Sequence, residues 1–100
     1  MAGNTRPFDA ANYLETSEDQ ADLLNDAIVD GDPRYIAAAL GAVARARGGI
    51  AKLADDTGMS RQTLNKALSE KGNPTLSTVL KVVSALGLQL HVGARELADA

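Results

Sequence analysis

The side chains with the most recognisable chemistry lie together in the chain: Arg61, Gln62 and Lys66, with Lys52, Ser60, Thr63, Asn65, Lys71 and Asn73 around them. A guanidinium presents two parallel donors that fit the acceptor edge of guanine, and a carboxamide presents one donor and one acceptor that fit adenine. Arg61 and Gln62 are therefore the expected base readers, and Lys66, one helical turn further along, reaches a base or a phosphate. Lys52, Ser60, Thr63, Asn65, Lys71 and Asn73 suit contacts to the sugar-phosphate backbone, which set register and orientation rather than sequence preference. Catalytic chemistry is poorly supplied. His91, the single histidine, alternates with Leu90 and Val92 and is expected to face solvent with no base or nucleophile beside it. Ser60, Ser69, Ser77 and Ser84 have no partner base. With no cysteine and one histidine there is no ligand set for zinc. The expectation is a protein that is not an enzyme and holds neither metal nor cofactor.

The elements that must position those residues can be read from spacing. A helix-turn-helix needs a small residue where its helices cross, a residue tolerant of positive φ in the turn, and apolar residues that hold the second helix. Ala54, Gly58, Met59 and Leu64 meet these demands at spacings of four, one and five. Ser60 is placed to cap the second helix, which runs to about Leu68 with Leu64, Ala67 and Leu68 inward and Arg61, Gln62, Asn65 and Lys66 outward. The helix before it covers Ile50 to Asp56, with Ile50, Leu53 and Ala54 at helical spacing, and Gly58 breaks it. The same spacing occurs in an ordinary helical hairpin, but the basic cluster and the exposed polar row favour the nucleic-acid reading.

Upstream, Ser17 with Gln20 three residues later reads as a capping box that opens a helix to about Asp30, with Ala21, Leu24, Ala27 and Ile28 on its inner face. Gly31 stops it. Asp32 and Pro33 form a cap and first-turn pair for a second helix, in which Ile36, Leu40, Val43 and Ala44 make the apolar stripe and Ala37 to Ala39 permit close packing. Gly48 and Gly49 end it. Downstream, Gly72-Asn73-Pro74 is a turn, and Thr75 starts a fifth helix whose stripe is Leu76, Val79, Leu80, Val83 and Leu86. Gly87 is its C-terminal stop. The alternation Leu88, Leu90, Val92 argues for one short β-strand whose mate lies outside this chain, where it either joins the subunits of a dimer or adds to the sheet of a toxin. Phe8 to Leu14 is expected to add a short helical turn packed on the body.

Charge divides the 100-residue chain. Residues 1–44 carry two bases against eight acids, a balance of -6, whereas residues 45–81 carry seven bases against three acids, a balance of +4; the whole is -3. Two surfaces with different partners are implied, a basic one for phosphate and an acidic one for something basic. Three aromatic residues, Phe8, Tyr13 and Tyr35, are too few for stacking platforms on single strands, so duplex DNA is the expected nucleic acid. No apolar run approaches the length of a membrane span and the N-terminus lacks the order of a secretory signal, so a cytoplasmic, non-membrane protein is expected. One compact domain is expected: residues 1–16 a flexible leader, 17–47 an acidic helical pair, 48–92 the helix-turn-helix region ending in the strand, and 93–100 a tail. A domain of this size gains from association.

The stretch from about Gly41 to Val92 resembles the Xre-type, lambda-repressor-like helix-turn-helix family, and within it the addiction-module antidote proteins, the HigA-like antitoxins. The matching residues are Phe8-Asp9 with Tyr13-Leu14, Gly31-Asp32-Pro33, Ala38 to Gly41, Ala44 to Gly48, Leu53-Ala54, Gly58 to Arg61, Leu64, Lys66 to Leu68, Gly72 to Pro74, Val79 to Val82 and Ala85 to Leu88. The chain departs from the Xre pattern at Ile50, where many members carry Gln, and at Thr57, where the residue is often apolar. The resemblance implies an all-α, five-helix domain that represses its own two-gene operon and neutralises a RelE- or HigB-like ribonuclease toxin through the acidic residues 17–47. A two-fold homodimer on operator DNA fits this reading, since paired recognition helices match half-sites about one DNA turn apart. A free-standing prophage-type repressor without a toxin, and an interaction module that no longer binds DNA, are the competing readings.

Overall fold

The computed structural model describes residues 16–94, which form five helices: α1 Ser17–Asp30, α2 Pro33–Ala46, α3 Gly49–Thr57, α4 Arg61–Ala67 and α5 Leu76–Ala85. The expected helical turn at Phe8 to Leu14 and most of the leader and tail lie outside the described residues. Each boundary has a local cause. Asp32 caps α2, its Oδ1 accepting from the Arg34 amide at 2.9 Å, with Pro33 in the first turn. Ser60 and Thr75 cap α4 and α5 in the same way, accepting from the Thr63 and Thr78 amides at 3.0 and 3.1 Å. Such a side chain satisfies an amide that has no partner within the helix.

The cap of α1 differs from the sequence expectation. Thr16, not Ser17, accepts from the Asp19 amide, at 3.0 Å. Gln20 shares the inner face with Leu24 and Ala27, is 4% exposed and accepts at 2.8 Å from Arg47 Nη1. Arg47 also reaches Ser17 Oγ at 3.4 Å. A buried carboxamide needs such a partner, so Arg47, which the charge count places in the basic half, serves instead to tie the end of α2 to the start of α1.

α1 lies against α2, α2 against α3, and α3 against both α4 and α5. The core between them is centred on Leu40, Val43, Leu64 and Val82, all essentially inaccessible to solvent. Leu24 and Ala27 from α1, Leu53 from α3 and Leu68, Val83 and Leu86 complete it. Two expected stripes are only partly buried. Ile28 on α1 is 42% exposed, and on α5 the chain buries Val82, Val83 and Leu86 while Leu76 and Leu80 stay 70% and 48% exposed. The apolar residues of α5 span more of its circumference than α3 can cover.

The expected β-strand over Leu88–Val92 is not formed. Past Gly87 the chain has no regular structure to residue 94. The Leu88 amide still bonds back to the Val83 carbonyl at 3.1 Å, but from Gln89 onward no neighbouring strand exists among the described residues. Alternation is a property of one segment, whereas a strand requires a ladder partner.

On the outer side of the α1–α2 pair, the Tyr35 hydroxyl donates a short hydrogen bond to Asp26 Oδ2. That bond, partial burial, and the negative charges of Asp26 and Asp30 together hold the phenol above its ordinary titration range. A group whose folded value is raised above its unfolded value, about 10 for tyrosine, stabilises the fold below that pH and loses its contribution as pH rises through the folded value. Melting temperatures from pH 8 upward are thus expected to fall more steeply for the wild type than for Tyr35→Phe on the alkaline limb. Parallel curves for the two proteins would exclude this contribution.

Candidate nucleic-acid interface

The region from Gly49 to Asn73 is two short helices and two tight turns. Gly58 closes α3 with φ of 78°, a conformation that an L side chain resists, and its amide bonds to the Ala54 carbonyl at 2.9 Å. Thr57 reinforces the turn from within. Its hydroxyl donates to the Leu53 carbonyl at 2.8 Å and accepts from the Met59 amide at 3.2 Å. This hydroxyl thus stitches the last turn of α3 to the first residue of the connection.

α4 follows at once, begun by Ser60. A seven-residue helix cannot persist alone in water, so tertiary contacts must hold it. Leu64 is fully buried and Leu68, its C-terminal cap, is 5% exposed. Ala67 is half-buried against the same cluster. Arg61, Gln62, Thr63, Asn65 and Lys66 are all exposed. The expected outward row therefore exists: Arg61, Gln62, Asn65 and Lys66 share the face opposite Leu64, as positions i, i+1, i+4 and i+5 must. Ser60 and Thr63 are less available than the sequence suggests, since their hydroxyls bond to each other at 2.8 Å while Ser60 Oγ also caps the helix.

The turn after α4 keeps Lys71 and Asn73 next to its C-terminal end. Ser69 Oγ donates to the Lys66 carbonyl at 3.1 Å and accepts from the Lys71 amide at 3.3 Å. Gly72 is buried here because a Cβ would stand 2.2 Å from the Ala67 carbonyl oxygen. Lys71 and Asn73 are exposed. Lys52 lies on α3 and is not part of this cluster; its ammonium pairs with Asp56 one turn on, at 2.9 Å. An exposed pair of this kind contributes little to stability and opens readily for a phosphate. Ile50 packs against the core.

Sequence reasoning missed Gly41 on α2. A Cβ there would lie 2.6 Å from the Leu68 carbonyl oxygen, so the middle of α2 meets the backbone at the end of α4 at near-contact distance. The signal was present in the alanine run that precedes it, but a lone glycine inside a helix does not say what approaches it. Among the described residues no group of three or more acidic or histidine side chains could hold a metal ion. None of their helices is long and apolar enough to cross a membrane.

Comparison with known proteins shows the family. Residues 4–94 match the profile of a family described as "Probable addiction module antidote protein". The chain belongs to this family. An uncharacterized protein of Haemophilus influenzae is 42% identical over 92 residues, which cover 92% of this chain and 94% of that one. No solved structure matches the chain significantly. The antidote family implies a toxin partner of some kind. Within that family frame, α4 is the element with a polar exposed face and a fully anchored inner one.

Proposed function

We propose that this antidote protein is the antitoxin of a type II module: a non-enzymatic, cytoplasmic homodimer that represses its own operon through a DNA-reading α3–turn–α4 unit and neutralises a RelE- or HigB-like toxin. The observation that carries the DNA half is the exposed row Arg61, Gln62, Asn65 and Lys66 on a capped helix whose opposite side is locked by Leu64. Arg61 and Gln62 occupy the first turn, where a recognition helix meets base edges in the major groove. Lys66 extends the readout. Lys71 and Asn73 from the following turn, Lys52 from α3, and Ser60, Thr63 and Asn65 contact the backbone.

The toxin half rests on α1. Glu18, Asp22, Asp26 and Asp30 are exposed along it, and a field of one sign steers and selects an oppositely charged partner. Family membership gives the antidote role, and a basic ribonuclease is the partner whose charge fits.

The test is fluorescence-anisotropy binding to the DNA upstream of the gene, against scrambled duplex, at near-physiological salt. Arg61→Ala is expected to cost about 1–3 kcal/mol on the upstream DNA and to relax preference at one base pair, whereas Lys52→Ala weakens every duplex alike. Affinity falls steeply with added salt if these lysines and arginines meet phosphates. Equal losses on both duplexes for Arg61→Ala would remove it from base readout. Absence of any preference in the wild type would leave the antidote role to the acidic helices alone.

A further inference from the structure

One surface shares only Asn73 with the DNA contacts proposed above. The end of α1, the start of α2, the start of α5 and the segment after Gly87 enclose an open groove of about 400 Å³. Ile28, Ile36, Pro74 and Leu76 line it, and Leu90 and Val92 stand on its rim. Val92 is 93% exposed and Leu76 70%. No Asp, Glu, Lys or Arg lines the groove. Apolar side chains in this number, gathered in one place rather than scattered, mark a contact surface.

We propose that this groove is where a second copy of the chain seats, so that the rim residues Leu90 and Val92 of each copy enter the groove of the other. Three observations select a second copy. First, ridge and groove lie side by side on one surface, which is what a two-fold interface requires, because the same patch must serve as both partners. Second, the chain carries a net charge of -3. None of that charge lines the groove: a basic toxin would be met by carboxylates, which the groove lacks, whereas the same patch on a second copy covers it without burying an unpaired charge. Third, the backbone from Gln89 to Val92 makes no hydrogen bond within the described residues. Its amides and carbonyls sit at the rim, available to whatever covers it.

A standard interface takes about 800 Å² from each partner, about an eighth of the 6745 Å² surface of this chain. Leu80, 48% exposed and one turn beyond Leu76, continues the apolar strip along α5. Asn73 and Pro74 join the groove directly to the turn that follows α4, so a contact here sets the spacing between two α4 helices. The surface rests on the dimeric reading given above and specifies it.

The test is sedimentation of the full-length protein without DNA, from low to high micromolar concentration, for the wild type, Leu76→Glu, Val92→Asp and Arg61→Ala. Leu76 is the first residue of α5, where a carboxylate suits the helix dipole, and Val92 is almost fully exposed, so both variants keep their helical circular dichroism. The wild type and Arg61→Ala are expected to sediment as two chains, with a melting temperature that rises with concentration. Leu76→Glu and Val92→Asp are expected as single chains, with at least a tenfold weaker association. Variants that remain dimeric would overturn the proposal, as would a wild type that is monomeric throughout, in which case the leader of the same chain or a toxin covers the groove. Loss of dimer in Arg61→Ala would also overturn it. Because no DNA is present, failure of operator binding leaves this result intact, and the two readings fall separately.

Discussion

Leu64→Ala is expected to lose about 2–5 kcal/mol of stability, the cost of removing a fully buried leucine side chain from a packed core. Leu64 has no accessible surface and lies in the core with Leu53, Leu68 and Val82. A chain of this length has a total stability of only about 5–15 kcal/mol, so the loss is a large share of it. The functional consequence is specific. α4 has seven residues and no independent stability, and its outer row keeps its direction only while the inner face is held. Urea unfolding is expected to show a markedly lower midpoint with little change in slope. Upstream-DNA affinity is expected to fall at 37 °C and to recover in part on cooling, as the folded fraction returns. Arg61→Ala behaves in the opposite sense, with affinity lost and the urea midpoint unchanged. An unchanged midpoint in Leu64→Ala would mean that the inner face of α4 is anchored by some other residue.

The contrast between these variants follows how the region is written in the sequence. Ser60 as cap, Leu64, Ala67 and Leu68 as inner face, and Arg61, Gln62, Asn65 and Lys66 as outer row are local relations, set by a 3.6-residue period and a cap hydroxyl. All are found as read. The same local logic gives the stops at Gly31, Gly58 and Gly87, where the backbone is left-handed. It fails where the deciding partner is distant in sequence. Ser17 and Thr16 can both cap a helix in isolation, and the cap is Thr16; the partner that satisfies buried Gln20 is Arg47, 27 residues away. On α5 the period identifies apolar positions, but which of two adjacent stripes is covered depends on where α3 lies, and Leu76 and Leu80 are the ones left out. The alternation from Leu88 to Val92 is real as a pattern and produces no strand, because pairing is a property of two segments. Charge counting has a similar limit. Arg47 and Lys52 are counted in the basic half, yet one is committed to Gln20 and the other leans on Asp56.

Gly41→Ala is expected to destabilise the protein by about 1–3 kcal/mol or more, against the direction that helix propensity alone would give. In an unpacked helix, alanine in place of glycine gains about 1 kcal/mol. Gly41 lies in the middle of α2 with no positive φ to protect, so on local grounds the exchange should help. The opposite sign comes from the Leu68 carbonyl oxygen, which would be 2.6 Å from the new Cβ. Both atoms belong to backbone frameworks rather than to flexible side-chain ends, so relief requires α2 and the end of α4 to separate, and overpacking of a tight contact costs about 1–3 kcal/mol. Separation there also moves Leu68 and with it Leu64, whose carbonyl accepts from the Leu68 amide at 2.9 Å. The lesion therefore travels along α4 to the outer row. Gly41→Ala is expected to lower both the thermal midpoint and the preference for upstream DNA over scrambled duplex, although residue 41 lies on α2 outside the outer row. A rise in thermal midpoint would show that propensity wins, that the crossing of α2 and α4 is looser than a glycine contact, and that the direction of α4 is set from α3 alone.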